Sequence, residues 1–305
     1  MGPGRLARRG SAWRSLPTSA DLVADPVIPP ARRTRFAPAP TGFLHLGHVA
    51  NALWVWGAAR AAGARVLLRI EDHDRQRSRA RFDAAILEDL AWLGFVADEG
   101  PFTQTDPDAL AAFDAALARL TAQELVYRCA CTRSTFATWA RDHGRDWTGP
   151  GCPGACRAQT LPGDAATSLR VTVGPGTEAF DDLLVGPQTG EPAASGDVVV
   201  RDRAANWTYG FAVVVDDLRQ DVDLVVRGAD LLPDTARQIR LGRLLGRDEP
   251  PRFLHHPLIR KSSGAKLSKA DADAGVRDLR AAGWTSQQVR REAARLGRLP
   301  RDWGA

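Results

Sequence analysis

Arg35-Phe36-Ala37-Pro38-Ala39-Pro40-Thr41-Gly42-Phe43-Leu44-His45-Leu46-Gly47-His48 is the stretch whose reading orders the rest of the chain. Its first residues complete a short strand, Thr34 to Ala37, and the Pro38 to Gly42 run breaks it. Leu46 to Arg60 is apolar on most faces, which predicts a buried helix. Arg65 to Ile70 follows as a second strand and ends in Glu71-Asp72-His73-Asp74. From Arg81 to Leu93, the positions Ile86, Leu87, Leu90 and Leu93 share one helical face, and Gly94 stops the helix. Strand, helix, strand, helix is the beginning of an α/β fold with a doubly wound parallel sheet.

Working outward, Asp108 to Leu125 predicts another amphipathic helix. The segment from Cys129 to Cys156 holds Gly, Pro and all four cysteines of the chain. Leu169 to Val200 alternates and carries turn residues, so it reads as short antiparallel strands. Thr208 to Val215 and Asp223 to Arg227 read as buried strands of the main sheet, joined through Asp216-Asp217. Thr235 to Leu245 is helical, Phe253 to Arg260 leads into a Gly/Ser/Lys loop, and Val276 to Leu296 is helical again. The expected organisation is a disordered extension over 1–31, the first half of the Rossmann-type α/β domain over 32–107, and an insertion over 108–200. The second half follows over 201–247, and a loop with a helical cap over 248–305.

Hydrophobic residues make up 44% and charged residues 25% of the 305 residues, so a chain disordered throughout is excluded. No run approaches the roughly 20 apolar residues that cross a bilayer. The most apolar stretch, Val49 to Ala59, contains Asn51. Residues 1–31 have no apolar core of a secretory signal, so a cytoplasmic protein is expected; no membrane partner and a monomer are the accompanying expectations. The net charge of +5 permits a nucleic-acid partner, but an Arg-rich composition bias gives the same charge without one. More informative is that only three of the 41 basic residues are Lys: Lys261, Lys266 and Lys269.

Three constellations carry chemistry. His45-Leu46-Gly47-His48 stands at a helix start, where N–H groups and the helix dipole attract phosphate. Two imidazoles there can donate to phosphate oxygens, and Gly47 leaves room for a flat base; the plainer reading is a pair of helix-capping histidines. Lys266-Leu267-Ser268-Lys269 lies in a loop. A mobile point charge on a flexible stem suits phosphate whose charge develops in a transition state. A solvated basic loop is the alternative, but outside the window from Lys261 to Lys269 the chain uses Arg for every Lys-or-Arg position. Cys129-x-Cys131 with Cys152-x3-Cys156 fits a closed tetrahedral structural zinc, one per chain; disulfides are the alternative, disfavoured in the cytosol. His143 lies nearby without a paired ligand.

Residues 35–48 resemble the HIGH region of class I aminoacyl-tRNA synthetases, most closely the glutamyl branch. Lys266 to Ala270 is similar to that class's KMSKS loop, with Leu267 for Met and Ala270 for the last Ser. Arg69 to Asp74, Val214 to Asp217 and Val225 to Leu231 are similar to three further glutamyl-branch motifs. The resemblance runs from about Thr34 to Ala270 and implies a Rossmann-type catalytic core. It also implies ATP with Mg2+ and an aminoacyl adenylate, whose acyl group passes to a nucleic-acid hydroxyl. It assigns His45, His48 and Lys269 to the transition state at the α-phosphate, and Gly47, Lys266 and Ser268 to ATP. Arg35 and Arg227 would hold the carboxylates of glutamate, Glu71 its ammonium, Tyr209 a pocket wall, and the backbone of Phe36, Ala37, Pro38 and Ala39 would flank it. Ala39 stands where Ser is common, and some relatives have Tyr where Cys152 stands.

Residues 271–305 suffice for one helical cap and not for an anticodon-reading domain. A core with an insertion and a zinc site but no such domain resembles the glutamyl-Q tRNA(Asp) synthetase family. That family activates glutamate without tRNA and attaches it to the queuosine base in the anticodon loop of tRNA(Asp). Val213, where tRNA-dependent glutamyl enzymes typically have Asn, is similar to that family too. Two alternatives remain at this point: a truncated glutamyl-tRNA synthetase charging the tRNA 3′ end, and a non-catalytic tRNA-binding paralogue.

Overall fold

A computed structural model describes residues 26–144, 151–162, 166–259 and 275–303. Along the chain the first half runs β1 (Arg33–Phe36), α1 (Leu46–Ala62), β2 (Arg65–Ile70), α2 (Ala80–Leu93) and β3 (Glu99–Thr103). Then come α3 (Pro107–Ala122), β4 (Val126–Cys129), α4 (Arg133–Asp142), β5 (Ser168–Val171), β6 (Glu178–Asp182), β7 (Gly186–Gly190) and β8 (Val198–Arg201). The chain returns through α5 (Tyr209–Arg219), β9 (Leu224–Gly228), α6 (Thr235–Leu244) and β10 (Arg252–His256), and ends in α7 (Val276–Ala281) and α8 (Ser286–Leu296).

β1 pairs in parallel with β2, Arg33 opposite Arg65 and Phe36 opposite Leu68, and β3 extends the sheet beyond β2. On its other side β1 lies against β9. Asp223 N–H donates to the Arg33 carbonyl, the Asp223 carboxylate accepts from the Arg32 and Arg33 N–H groups, and Arg35 donates to the Val226 carbonyl. β9, β10 and β6 continue in parallel, and β7 closes the edge antiparallel to β6. The path therefore leaves β1 toward β2 on one side and returns as β9 on the other. Parallel strands that part in this way open a crevice at their carboxyl ends, where ligands of such sheets bind.

α1 is buried on nearly every side, from Val49 to Ala62, between the sheet and α8. Trp54 is fully buried there and donates from its indole to the Gly297 carbonyl at 3.1 Å; truncating such a side chain costs about 3–5 kcal/mol. A second core joins α3, β5, β8, α5 and α6 through Phe113, Val171, Val200, Phe211 and Leu241.

Four expectations are corrected. Thr208 to Val215 is the N-cap and first turns of α5, not a strand. Its Phe-Ala-Val-Val-Val run is buried on all faces between α3, α6 and β8, so packing overrides β-propensity and the polar face that marks a helix is missing. The predicted insertion does not stay together: β4, β5 and β8 form its antiparallel sheet, but the β6–β7 hairpin edges the main sheet. Of the extension expected to be disordered to residue 31, residues 26–31 pack on the core. Ile28 is buried, Ala31 N–H donates to Ala62, and the Pro30 carbonyl accepts from Arg252; residues 1–25 lie outside the described residues. The last helix is two, parted at Gly283 with φ of 85°. Among the described residues, no helix is long and apolar enough to cross a membrane.

Candidate active site

The histidine pair caps α1. His45 is the N-cap, and its Nδ1 accepts from Gly47 N–H at 3.0 Å; His48 Nδ1 accepts from His45 N–H at 3.1 Å. The capping reading and the phosphate reading are thus one arrangement. With each Nδ1 accepting, each neutral ring carries its proton on Nε2. The rings lie 3.9 Å apart, at the positive end of the helix dipole. Gly47 has a nearer task than making room for a base: a Cβ there would sit 2.9 Å from His45 Cε1.

The ends of β1, β2 and β9 and the start of α5 bring Arg35, Glu71, Arg227 and Tyr209 together. Arg35, 4% exposed, donates Nε to Asp217 Oδ1 at 3.1 Å. Arg69, with no exposed surface, is 2.9 Å from Asp217, 3.3 Å from Glu71 and 3.8 Å from Asp216. Gln104 donates to Asp216 at 2.7 Å and Gln220 accepts from Arg69 at 2.8 Å. Burial pushes the Glu71 carboxyl up, against the pull of Arg69 and Arg35. Burial acts the same way on Asp217, but Arg35 and Arg69 outweigh it and hold that carboxyl below its usual range. Burial lowers the Arg227 guanidinium and raises the Tyr209 hydroxyl, and each of these two favours the other's charge. The backbone of Phe36–Ala39 is tied to the same end of the sheet, where the Pro38 carbonyl accepts from Glu71 N–H at 3.0 Å. The Phe36 ring itself is in the core, 5.5 Å from Trp56. Two cationic side chains and one carboxylate in a water-poor crevice can hold a small zwitterion with an extra acidic group.

The second cluster lies in the insertion. The Sγ atoms of Cys129, Cys131, Cys152 and Cys156 all lie within 4.8 Å of one another, with Cys131 at 3.8 Å from Cys152 and 3.2 Å from Cys156. A disulfide requires about 2.05 Å, so the four are thiols. Thiolates about 2.3 Å from one tetrahedral centre stand about 3.8 Å apart, so the set fits a single metal ion. A hydrogen bond from Cys129, more than any other cause, draws Cys152 below the ordinary thiol range. Buried Asp197 braces the cluster. It accepts from Tyr127 at 2.6 Å and from both arms of Arg157 at 2.7 Å, and its N–H donates to the Cys152 carbonyl. His143 stacks on Trp139 instead.

Lys261, Lys266, Ser268 and Lys269 lie outside the described residues. The segments on either side of them reach α1: His256 Nε2 lies 2.9 Å from Asn51 Oδ1, and Val276 N–H donates to the Leu44 carbonyl. Several functional-site residues had no role in the sequence reading: Arg69, Asp217, Gln104, Gln220, Asp197, Thr235, Gln238 and His255. One signal was there. An Arg inside Val66-Leu67-Leu68-Arg69-Ile70 is a charge in a buried strand, and such a charge needs partners.

Residues 32–302 match the family model described as tRNA synthetases class I (E and Q), catalytic domain. A protein of Symbiobacterium thermophilum named glutamyl-Q tRNA(Asp) synthetase is 42% identical over 271 residues, which cover 84% of this chain and 83% of that one. The chain belongs to the glutamyl-Q tRNA(Asp) synthetase family. It is a ligase of the class I synthetases, with their α/β catalytic domain. Beyond this family, a glutamate–tRNA ligase of Alkalilimnicola ehrlichii is 36% identical over 87% of this chain, which covers 56% of that ligase. A crystal structure of a glutamate tRNA ligase from Elizabethkingia meningosepticum, in complex with its amino acid, superposes with a TM-score of 0.66 at 27% identity, covering 83% of this chain. The chain spans 53% of that structure, about half its length. Val213 is 1% exposed in the second core, where an Asn would bury its amide among hydrocarbon.

Proposed function

We propose that this enzyme activates glutamate with ATP to glutamyl-adenylate, without tRNA, and transfers the glutamyl group to the queuosine base in the anticodon loop of tRNA(Asp). The observation that carries the reading is the convergence of Arg35, Glu71, Tyr209 and Arg227 at the carboxyl end of the sheet, with the His45–His48 cap on the helix that follows β1. In the first step an α-carboxylate oxygen attacks the α-phosphorus and pyrophosphate leaves. In the second, a hydroxyl of the acceptor attacks the carbonyl carbon, AMP leaves and the hydroxyl proton is lost.

Arg35 and Arg227 hold the carboxylates, Glu71 the ammonium, Tyr209 walls the pocket, and the Phe36–Ala39 backbone flanks it. His45 and His48 donate from Nε2 to the phosphate as charge develops, with Gly47 keeping the cap in shape. Lys266, Ser268 and Lys269 supply the remaining ATP contacts, and Mg2+ accompanies the nucleotide. Chemistry by the protein is positioning and electrostatics. Cys129, Cys131, Cys152 and Cys156 hold one Zn2+, which cross-links the insertion and leaves no open position for catalysis.

A second reading, charging of the tRNA 3′ end, is favoured by the 36% identity to a glutamate–tRNA ligase. One pair of assays separates the two. Glutamate-dependent ATP–pyrophosphate exchange is expected with no tRNA present. Labelled glutamate is expected on tRNA(Asp) only when it carries queuosine. Exchange that requires tRNA(Glu), or equal labelling of queuosine-free tRNA, rejects the proposal.

A further inference from the structure

We infer that Asp182, His255, Thr235 and Gln238 form a cradle that sets the Arg227 guanidinium for a substrate carboxylate, and that His255 is its positioning residue. The inference rests on the reading that Arg227 binds glutamate.

Arg227 sits on the carboxyl half of β9 and is 5% exposed. Its Nε donates to His255 Nε2 at 3.0 Å, its Nη2 to Thr235 Oγ1 at 2.8 Å, and its Nη1 to Gln238 Oε1 at 2.6 Å. Its Cζ lies 5.4 Å from the Phe253 ring centroid, and that ring stacks on His255. The edge made by Nε and Nη2 is thus occupied by protein. A guanidinium has five donor hydrogens, and three are used in the cradle. That leaves one hydrogen on each terminal nitrogen, beside the Tyr209 hydroxyl that also hydrogen-bonds this guanidinium, and such a pair is the fork that meets a carboxylate bidentately.

His255 can accept from Arg227 only if Nε2 carries no proton. Asp182 enforces that tautomer. Its Oδ2 is 2.6 Å from His255 Nδ1, which must donate to it. The carboxylate is itself fixed, accepting from the N–H groups of Leu184, Val185 and His255. Asp182 ends β6 and His255 lies in β10, so the hairpin that joins the main sheet is what delivers the carboxylate. A buried carboxylate–imidazole pair that touches no solvent is a poor source of stability. Its geometry instead orients a guanidinium at a pocket, and a loosely held Arg would lose its fork geometry.

The test is pyrophosphate exchange with glutamate and ATP each varied. His255→Asn keeps an N–H for Asp182 but leaves Arg227 Nε without its acceptor. We expect KM for glutamate to rise roughly 10- to 100-fold, with kcat and KM for ATP within about twofold. His255→Gln places an amide oxygen near the lost Nε2 and is expected to recover most of that rise. Asp182→Asn, which can present N–H to Nδ1 and reverse the tautomer, is expected to match His255→Asn. An unchanged glutamate KM in His255→Asn overturns the inference. So does an equal fall in every kinetic constant, or a His255→Gln enzyme no better than His255→Asn. If His255→Asn shows no cooperative melting transition, Thr235→Val takes its place and must raise the glutamate KM alone; no change there overturns the inference too. Absence of exchange by the unmodified enzyme rejects the function reading itself, and with it this one.

Discussion

The crevice and the cysteine knuckle are both clusters of chemistry-bearing side chains, yet they are assembled in opposite ways. The knuckle draws four thiols from between Cys129 and Cys156, and one buried carboxylate, Asp197, braces them. The crevice draws Arg35, Arg69, Glu71, Asp217 and Arg227 from β1, β2, α5 and β9, and ion pairs across nearly two hundred residues of sequence hold them. One cluster is local and has the spacing to hold a single ion. The other is non-local, and its charges compensate one another while leaving donors for a ligand.

Five experiments break or sharpen that contrast. Stripping the metal is expected to have the largest local effect, because structural zinc supplies roughly 10–16 kcal/mol in small domains. Amide exchange should quicken across residues 126–157 after chelation while α1 and β2 stay protected; uniform loss of protection would show the two clusters to be one folding unit. Arg69→Met comes next. It leaves Asp216, Asp217 and Glu71 buried without their shared cation, and denaturant unfolding should show a loss of about 3–5 kcal/mol. A near-neutral result would mean that the carboxylates are compensated elsewhere.

His45→Ala should lower kcat for exchange by roughly 10²–10³ while stability falls by only about 1 kcal/mol, the worth of a cap. Equal losses in both would make the residue a cap and nothing more. Acid should act on the main sheet and α1. Burial depresses His256 to about 4 from an ordinary 6.5, so between those values the unfolded chain binds the extra proton and stability falls as pH falls. That loss is on the order of 3 kcal/mol, with Asp217, whose carboxyl is also depressed, adding to it below about pH 4. Flat stability over that window would contradict a buried neutral His256.

The smallest change runs the other way. Glu71 is raised by burial, so its ionised form costs stability above its ordinary 4.5. Glu71→Gln is expected to raise the melting temperature at pH 7 while abolishing measurable exchange. A lower melting temperature would mean that its contact with Arg69 outweighs the cost of burial.

The same contrast explains what could be read in advance. β2 and the stop at Gly94 follow from apolar spacing and from a glycine at φ of 77°, both local properties. The knuckle follows from cysteine spacing alone. Arg35, Glu71, Tyr209 and Arg227 were distinguishable from the other charged residues only by motif position, because nothing local about an Arg says what it faces. The α5 segment reads as a strand because the face that would mark it as a helix is buried against α3, α6 and β8. Asp182 and His255 could not be paired at all, since their strands lie side by side only after the hairpin joins the main sheet.

By itself, then, the sequence determined the alternation of strands and helices, the cap at His45, the thiol cluster and the family. These rest on neighbours along the chain, where spacing fixes geometry. The tertiary structure alone decided which charges share a crevice, which strand order opens it, and what holds Arg227 in place. Those depend on the dielectric and the partners that burial supplies, and burial is a property of the folded whole.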